Sequence, residues 1–477
     1  MEKHSKKKIN EIIRERNINA EIRGDFSDVS SIINHSKNAV YGALFVCLRG
    51  AEHNGHDYAS VAYARGCRHF LCDAPLSLPE DAAILQVKSV RSILCDLLFD
   101  FYGVCREDFV FAAVTGTKGK TTTAVVLMRI MNQAGYPTAC SSTLGLFDGT
   151  TTKQTQNTTP DLFTLVPWFA ELRNKKIRYV VIEASSAALS GGRLIGMNFS
   201  VGILTSFSRD HVGKGEHKNM AEYLCAKRSL FSNYGVKTAI LPSGIYRGEY
   251  IVSDVEKVVL LPSDNEIISE VEERKNAQAF LYHGKRIVMS LIGEHNRTNA
   301  RLALKCASLL TGKEEKYFYS YLSNVFVSGR YEQIQHKGVN VVIDYAHNRE
   351  SFEAVAKAAS GRSHGRLICV FGSVGERGFE RRKELAEVAE TRMDLCVITE
   401  DNPESESGFG ICSEIYAEFS DKTKAKIVSD RADAIRYAFS LCREGDHLLL
   451  LGKGHETVQR KNGKCMPFSE KDILLSL

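Results

Sequence analysis

The chain predicts an α/β protein built on doubly wound, largely parallel sheets and divided into three domains. Three observations predict it. At 477 residues the chain exceeds one compact core, and ~150 residues per domain gives about three. Short apolar, β-branched runs alternate with segments of helical period, as parallel strands joined by crossover helices do. The same rhythm then restarts after Gly329-Arg330, so a second such sheet follows the first.

Taken in order, residues 1–107 mix short strands at 43–48 and 69–72 with helical stretches ending at 89–102. A new unit opens with the apolar run 109–115, a turn, and a helix over 121–134, followed by strands at 179–182 and 201–205. The last unit places strands at 340–343, 366–371, 395–399 and 447–451, each short, apolar and followed by glycine or polar residues. The expected domains are 1–107, 108–328 and 329–477.

Composition excludes several classes. Hydrophobic residues make up 44% and charged residues 25%, an ordinary globular balance. A net charge of +5 with no long basic block argues against nucleic acid, and Lys6-Lys7-Lys8 reads as a solvated helix end. The 13 cysteines form no Cys-x-x-Cys pair, which argues against a disulfide framework and zinc spacing and fits a reducing cytosol. The most apolar segment, 89–104, is broken by Arg91, Asp96 and Asp100, so no membrane span is expected. The charged N-terminus has no apolar core behind it, unlike a secretory signal. A cytoplasmic protein is expected.

The strongest local signal is Val114-Thr115-Gly116-Thr117-Lys118-Gly119-Lys120-Thr121-Thr122-Thr123. A buried strand runs into a glycine-containing turn, and Lys-Thr opens a helix. Backbone N–H groups in such a loop point at phosphate oxygens, aided by the positive end of the helix dipole. Lys120 is then placed to neutralise the β- and γ-phosphates, and the Thr121 hydroxyl to coordinate Mg²⁺. The loop is not the standard Gly-x-x-x-x-Gly-Lys, since Val114 stands where the first glycine belongs. Without further context the same residues also describe a structural strand-to-helix turn.

Further motifs follow in a fixed order. They are Glu183-Ala184-Ser185-Ser186, Asp210-His211, Tyr223-x-x-Ala226-Lys227-x-x-Leu230-Phe231, His295-Asn296-x-x-Asn299 and Gly329-Arg330-Tyr331-Glu332. Asp344-Tyr345-Ala346-His347, Asp401-Asn402-Pro403 and Gly452-Lys453-Gly454-His455-Glu456 complete the series. Together with Gly-Thr-x-Gly-Lys-Thr they resemble the Mur ligases and the related folylpolyglutamate synthetases. The last two motifs resemble the branch that adds the third residue to UDP-N-acetylmuramoyl-L-alanyl-D-glutamate (MurE-type). The resemblance runs from about Ser36 to the end.

It implies the three-domain Mur ligase architecture, with a central P-loop doubly wound sheet and a C-terminal Rossmann-like domain. It also implies a reaction: ATP activates a carboxylate as an acyl phosphate, which an incoming amino acid converts to an amide. In-line phosphoryl transfer gathers anionic oxygens, so it demands positive charge more than covalent chemistry from the protein. Two Mg²⁺ ions with hard oxygen ligands meet that need.

By resemblance, Gly116, Thr117, Gly119, Lys120, Thr121 and Thr122 hold the nucleotide phosphates. Asn296 serves the adenine region, and Arg330 and Asp344 the ribose and phosphates; Asn299 caps or buttresses its helix. Thr121, Glu183 and His211 surround the metals, and Lys227 matches the lysine this family carbamylates with CO₂, which turns a cation into a carboxylate-like ligand. The catalytic set is thus Lys120, Glu183, His211 and Lys227. Taken singly, Lys227 reads as a solvated helix lysine and His211 as a loop histidine. Ser36, with Gly42-Ala43-Leu44-Phe45 and Gly55-His56, resembles the UDP-binding element. Asn157, Thr158, Thr159, Ser185 and Arg193 match the muramoyl-peptide segment, although Thr-Thr-Pro alone would pass as turn chemistry. Arg377, Asp401, Asn402, Glu404, Gly452 and Glu456 complete the amino-acid site. The implied partners are UDP-N-acetylmuramoyl-dipeptide and a free amino acid, and a monomer is expected.

The sequence departs from the family pattern at five places: His35 and Lys37 beside Ser36, Ala187, the lengthened segment 212–217, Glu376-Arg377-Gly378, and Glu404. The last is the most informative. Relatives that add meso-diaminopimelate carry arginine in the fourth position of Asp-Asn-Pro-Arg, facing the distal carboxylate. Glu404 would repel that carboxylate and suits an ammonium, so L-lysine or L-ornithine is expected. The other reading is that Glu404 points to solvent and selects nothing. Three other functions compete with this one. A divergent ligase for a different carboxylate stays open, because the loops around the acceptor are altered. A P-loop switch fails, because Asn174-Lys175-Lys176-Ile177 lacks the aspartate of a guanine-reading motif. A nucleotide-binding pseudoenzyme has no use for Lys120, Thr121, Glu183, His211 and Lys227 together.

Overall fold

The computed structural model describes residues 6–50, 53–208, 217–245, 255–274, 277–361, 365–376 and 378–477. The chain forms two compact units, one running through Ser208 with Ala221–Leu261 and Leu302–Glu314, the other taking in Pro262–Arg301 and Glu315–Leu477.

The first unit contains two sheets. A five-stranded sheet has the order Ala20–Arg23, Ala83–Val87, His69–Cys72, Ala43–Val46, Ser31–Ile33. Its first pair is antiparallel and the others are parallel. The helix Val90–Tyr102 follows, closed by Gly103 in the left-handed conformation at φ 64°. This helix shares a core with the helix Leu162–Asn174: Phe99 meets Phe169 at 6.1 Å between ring centroids, and Phe109 and Phe111 close on the same ring. One continuous apolar core therefore joins the N-terminal sheet to the next.

That next sheet has eight strands in the order Lys257–Leu261, Thr238–Pro242, Val201–Leu204, Val110–Thr115, Tyr179–Glu183, Thr138–Ser142, Gly145–Phe147, Thr152–Lys153. The first six are parallel and the last two antiparallel. Val110–Thr115 lies between Tyr179–Glu183 and Val201–Leu204, so the three carboxyl ends open along one edge. That is where doubly wound sheets bind ligands. The expected strand and helix after it are both present, the helix spanning Lys120–Gln133.

In the second unit the main sheet has the order Glu332–His336, Val339–Asp344, His447–Leu451, Leu367–Phe371, Leu395–Ile398, Ala425–Ile427. Only its first pair is antiparallel. Separate apolar cores cover its two faces, as a doubly wound sheet requires. Two small antiparallel elements were not expected: the sheet Ile268–Arg274, Ala277–Tyr282, Lys285–Met289 and the hairpin Val458–Lys461/Lys464–Pro467. Ile268–Arg274 is almost wholly exposed, and Lys464–Pro467 wholly so, which removes the apolar alternation that marks a strand. Among the described residues no helix is long and apolar enough to cross a membrane.

Candidate functional site

At the carboxyl edge of the eight-stranded sheet, Thr115 ends its strand and the chain turns through Gly116 at φ 146° and Gly119 at φ 80°. A Cβ on Gly116 would lie 2.0 Å from the Thr205 hydroxyl oxygen, so only glycine fits. The loop is pinned to the segment after the adjacent strand. Thr117 N–H donates to Ser206 O at 2.9 Å, Lys118 N–H to Ser206 Oγ at 2.8 Å, and Ser208 N–H to Thr117 Oγ1 at 3.1 Å. Lys120 folds back over the loop, donating to Gly116 O at 3.1 Å and Thr117 O at 3.0 Å. Thr122 is buried behind it in the first helical turn.

The Glu183 carboxylate, 1% exposed at the end of its strand, gathers the surrounding hydroxyls. Thr121 Oγ1 donates into it at 3.0 Å from both oxygens. Thr143 donates its N–H at 3.0 Å and its hydroxyl at 3.1 Å to Oε2, and Thr158 Oγ1 lies 3.3 Å from that hydroxyl. Behind the carboxylate, Thr159 Oγ1 donates to Glu183 O at 2.6 Å and accepts from Ser185 N–H at 2.9 Å. Arg193 Nη1 donates to Thr159 O at 3.1 Å. The folding thus brings Thr121, Glu183, Thr158, Thr159, Ser185 and Arg193 into one hydrogen-bonded group, while Lys120 stays on the loop carbonyls. Thr143 was missed by the sequence reading; its only signal is its place just after the neighbouring strand Thr138–Ser142.

Lys227 is no solvated helix lysine. It is 2% exposed, donates to Gly116 O at 2.7 Å, and lies 4.4 Å from the centroid of the Tyr223 ring. Tyr223, one helical turn earlier, donates its hydroxyl to Thr117 Oγ1 at 3.1 Å. Asp210, His211 and Arg377 lie outside the described residues. Among the described residues no group of three His, Cys, Asp or Glu side chains is arranged to hold a metal ion. The donor set is instead one carboxylate with the Thr121 and Thr143 hydroxyls, hard oxygens that fit Mg²⁺ completed by water and phosphate.

In the N-terminal sheet, Ser36 opens the short turn Ser36–Asn38 and enters none of these hydrogen bonds. Its neighbour Asn34 donates to Asp161 at 2.9 Å, adjoining the segment 157–160. Asn157 is exposed. His56 Nε2 stands 3.3 Å from Asp73, and burial draws its pKa below the ordinary value despite that neighbour.

In the second unit, Asn296 is 3% exposed and spends its amide on Ile292 O at 2.7 Å, while Asn299 donates to Asn296 Oδ1 at 3.2 Å. Asn299 thus buttresses Asn296. Asp344 accepts Tyr331 N–H at 2.6 Å and Ala346 N–H at 2.7 Å. Burial pushes its carboxyl up to about 6, against the pull of Arg330. Arg330 lies 4.6 Å from the Tyr345 ring centroid and 3.4 Å from His455 Nδ1.

Asp401 and Asn402 leave the strand Leu395–Ile398 beside Gly452, where a Cβ would meet Asp401 Oδ2 at 2.8 Å. Lys453, fully buried, donates to Asn402 Oδ1 at 2.9 Å and Glu456 Oε2 at 2.8 Å, and Asn402 donates to Glu456 at 3.0 Å. Burial raises the Glu456 pKa, but Lys453 and Asn402 outweigh it and hold the carboxyl below its ordinary value. Glu404 adopts φ 54° and stands 3.9 Å from Arg460 on the Val458–Lys461 strand. The sequence names Lys453 only as part of its motif, with no role, and does not single out Arg460.

Known proteins resemble this chain along most of its length. A family model described as the Mur ligase middle domain matches residues 114–307, and one described as the Mur ligase glutamate ligase domain matches 329–454. The UDP-N-acetylmuramoyl-L-alanyl-D-glutamate--2,6-diaminopimelate ligase of Syntrophomonas wolfei is 31% identical, covering 94% of each chain. The Aquifex aeolicus protein of the same name is also 31% identical, over 94% of this chain and 93% of its own. Among solved structures, one titled with that same ligase name matches at TM-score 0.65 and 22% identity, covering 99% of this chain and 98% of the other. The MurF ligase of Thermotoga maritima in complex with ADP matches at TM-score 0.61 and 17% identity, covering 89% and 94%.

Proposed function

The chain belongs to the Mur ligase family of ATP-dependent, amide-forming ligases, and from that premise we propose that it adds the third amino acid to UDP-N-acetylmuramoyl-L-alanyl-D-glutamate in cytoplasmic peptidoglycan precursor synthesis. The supporting observation is that the likeness to ligases of that name covers 94% of the chain, not the phosphate loop alone. On this reading residues 1–107 hold the UDP end through Ser36, 108–328 the nucleotide, and 329–477 the amino acid, in a monomer.

The chemistry follows from the groups in place. Gly116, Thr117, Gly119, Lys120, Thr121 and Thr122 cradle the ATP phosphates, with Lys120 leaving the loop carbonyls for the transferring phosphoryl group. Thr121 and Glu183, together with His211, would hold Mg²⁺, which would supply further positive charge. Asn157, Thr158, Thr159, Ser185 and Arg193 orient the muramoyl-dipeptide so that its glutamyl carboxylate attacks the γ-phosphorus in line, yielding an acyl phosphate and ADP. The amine of the incoming amino acid then attacks the acyl carbon and phosphate departs. A carbamate on Lys227 would add a negative oxygen ligand and would keep one N–H for Gly116 O. Asn296, Arg330 and Asp344 hold the adenosine side.

For the incoming amino acid, Arg377 and Asn402 take its carboxylate, Glu404 a side-chain ammonium and Glu456 its amino end, with Asp401 and Gly452 shaping the pocket. Glu404 leaves 31% of its side chain exposed, so an ammonium can reach it in competition with the Arg460 guanidinium 3.9 Å away. This favours L-lysine or L-ornithine over the diaminopimelate of the named relatives. The test is phosphate release from ATP with UDP-N-acetylmuramoyl-L-Ala-D-Glu and Mg²⁺, against lysine, ornithine, meso-diaminopimelate and no amino acid. Turnover with lysine or ornithine supports both parts. Turnover with diaminopimelate alone keeps the ligase and discards the Glu404 argument. No turnover with any of them points to a divergent ligase for another carboxylate acceptor.

A further inference from the structure

Among the described residues, the largest fully buried side chain is charged. Arg431, with no exposed side-chain surface, opens the helix Arg431–Leu441 and pairs with Glu470, equally buried, on the helix Glu470–Leu475. Its Nε and Nη2 donate to Glu470 Oε1 at 3.0 and 2.8 Å. Nη2 also donates to Leu451 O at 2.7 Å, and Nη1 to Glu400 O at 3.2 Å. Those two carbonyls immediately precede Gly452-Lys453 and Asp401-Asn402. The next residue of the same helix reaches elsewhere. Lys471 donates to Glu332 Oε1 at 2.9 Å, and Glu332 Oε2 accepts Gly329 N–H at 2.9 Å, just before Arg330.

We infer that the helix Glu470–Leu475 is a positioning element for two binding segments at once: Glu470, through Arg431, holds the segments at 400–402 and 451–453, and Lys471, through Glu332, holds the segment at 329–330. A buried ion pair is weak as a stabiliser, since apolar replacements of the same volume are often as good. What an apolar pair cannot do is donate to two carbonyls at strand ends, where the chain leaves the sheet and its ladder no longer does so. Arg431 uses its planar fork for that, and Glu470 holds the fork in plane. Both residues act through the loops they hold; neither needs to touch a substrate.

Assigning the two segments to amino acid and nucleotide rests on the function proposed above, so the test has one arm independent of it. The full-length R431M/E470L double variant removes both charges together and avoids stranding either one. Amide hydrogen exchange in it is expected to accelerate about tenfold at 400–402 and 452–456 and to stay unchanged at 329–331, with K471M giving the converse. In steady-state kinetics the double variant is expected to raise KM for the amino acid about tenfold with KM for ATP unmoved, and K471M to raise KM for ATP. Arg431→Lys, which keeps the charge but not the fork, is expected to fall between. Unchanged exchange at both segments would overturn the inference, and so would acceleration spread evenly over the chain, which marks a merely structural pair. If the wild type turned over no member of the panel, the proposed function would fall while the exchange arm still decided the inference.

Discussion

Lys227 and Gly116 are joined by a 2.7 Å hydrogen bond from a buried ammonium to the first carbonyl of the phosphate loop. The loop's backbone path therefore depends on a helix more than a hundred residues further along the chain. Replacing Lys227 with methionine deletes this bond and the contact with the Tyr223 ring. A loss in kcat on the order of 10²- to 10³-fold is expected, measured as phosphate release. Arginine keeps the charge but cannot be carbamylated in the same way, so Lys227→Arg is expected to be equally inactive. If Lys227→Arg retains wild-type activity, carbamylation is not required.

Gly116→Ala tests the loop itself. A Cβ there meets the Thr205 hydroxyl oxygen at 2.0 Å, and φ 146° is outside what L side chains readily adopt. The strain is on the order of 2 kcal/mol, and Thr205 must move as well. A folded protein with a lowered melting temperature and no thermal shift on adding ADP is expected.

Asp344 sets a pH dependence whose sign is fixed by its burial. Its carboxyl titrates near 6 in the folded chain, above its ordinary 3.8. Between those values the folded state binds more protons than the unfolded one, so this group's contribution to stability is full below about 4 and is lost as pH rises through 6. The size is at most about 3 kcal/mol. Denaturant unfolding at pH 4 to 7 is expected to show a falling component in the wild type that Asp344→Asn lacks.

Glu404 and Arg460 stand 3.9 Å apart, each partly exposed. Glu404→Arg places two guanidinium groups together and removes the carboxylate offered to an ammonium. Its lysine or ornithine activity is expected to drop about tenfold or more in kcat/KM, and its diaminopimelate activity to rise. A variant with full lysine activity and no gain toward diaminopimelate would show that Glu404 selects nothing.

The chain's single tryptophan reports on the joint core of the first unit. Trp168 is 4% exposed and lies 5.8 Å from the Phe169 ring, the same ring that receives Phe99 of the N-terminal part. Phe169→Ala should cost about 3–5 kcal/mol and shift tryptophan emission to the red, read by fluorescence-monitored unfolding. An unshifted emission with unchanged stability would contradict the shared core.

Local chemistry made much of this legible in advance. The strands at 69–72 and 447–451 were read to the residue, and those at 109–115 and 366–371 to within one, because buried parallel strands are apolar on both faces. The glycine turn before Lys120 was legible because only a left-handed or crowded backbone demands glycine at 116 and 119. Strands such as Ile268–Arg274 were not, because their side chains face water and carry no period.

What the sequence alone determined, then, is the alternation of strand and helix, the phosphate loop, and the ordered set of motifs that marks the family. Tertiary structure decided which of those residues meet. Thr121, Thr143, Thr159 and Ser185 come from four separate segments, and only the parallel pairing of the strands around Val110–Thr115 gathers them at Glu183. Lys227 reads as a surface lysine until the helix is docked, and the burial of Arg431 against Glu470 is decided only by the fold. The physical reason is common to all of these. A local pattern records the period on which a segment repeats, whereas burial and partner choice depend on which distant segment covers it, and desolvation is what turns a routine charge into a fixed one.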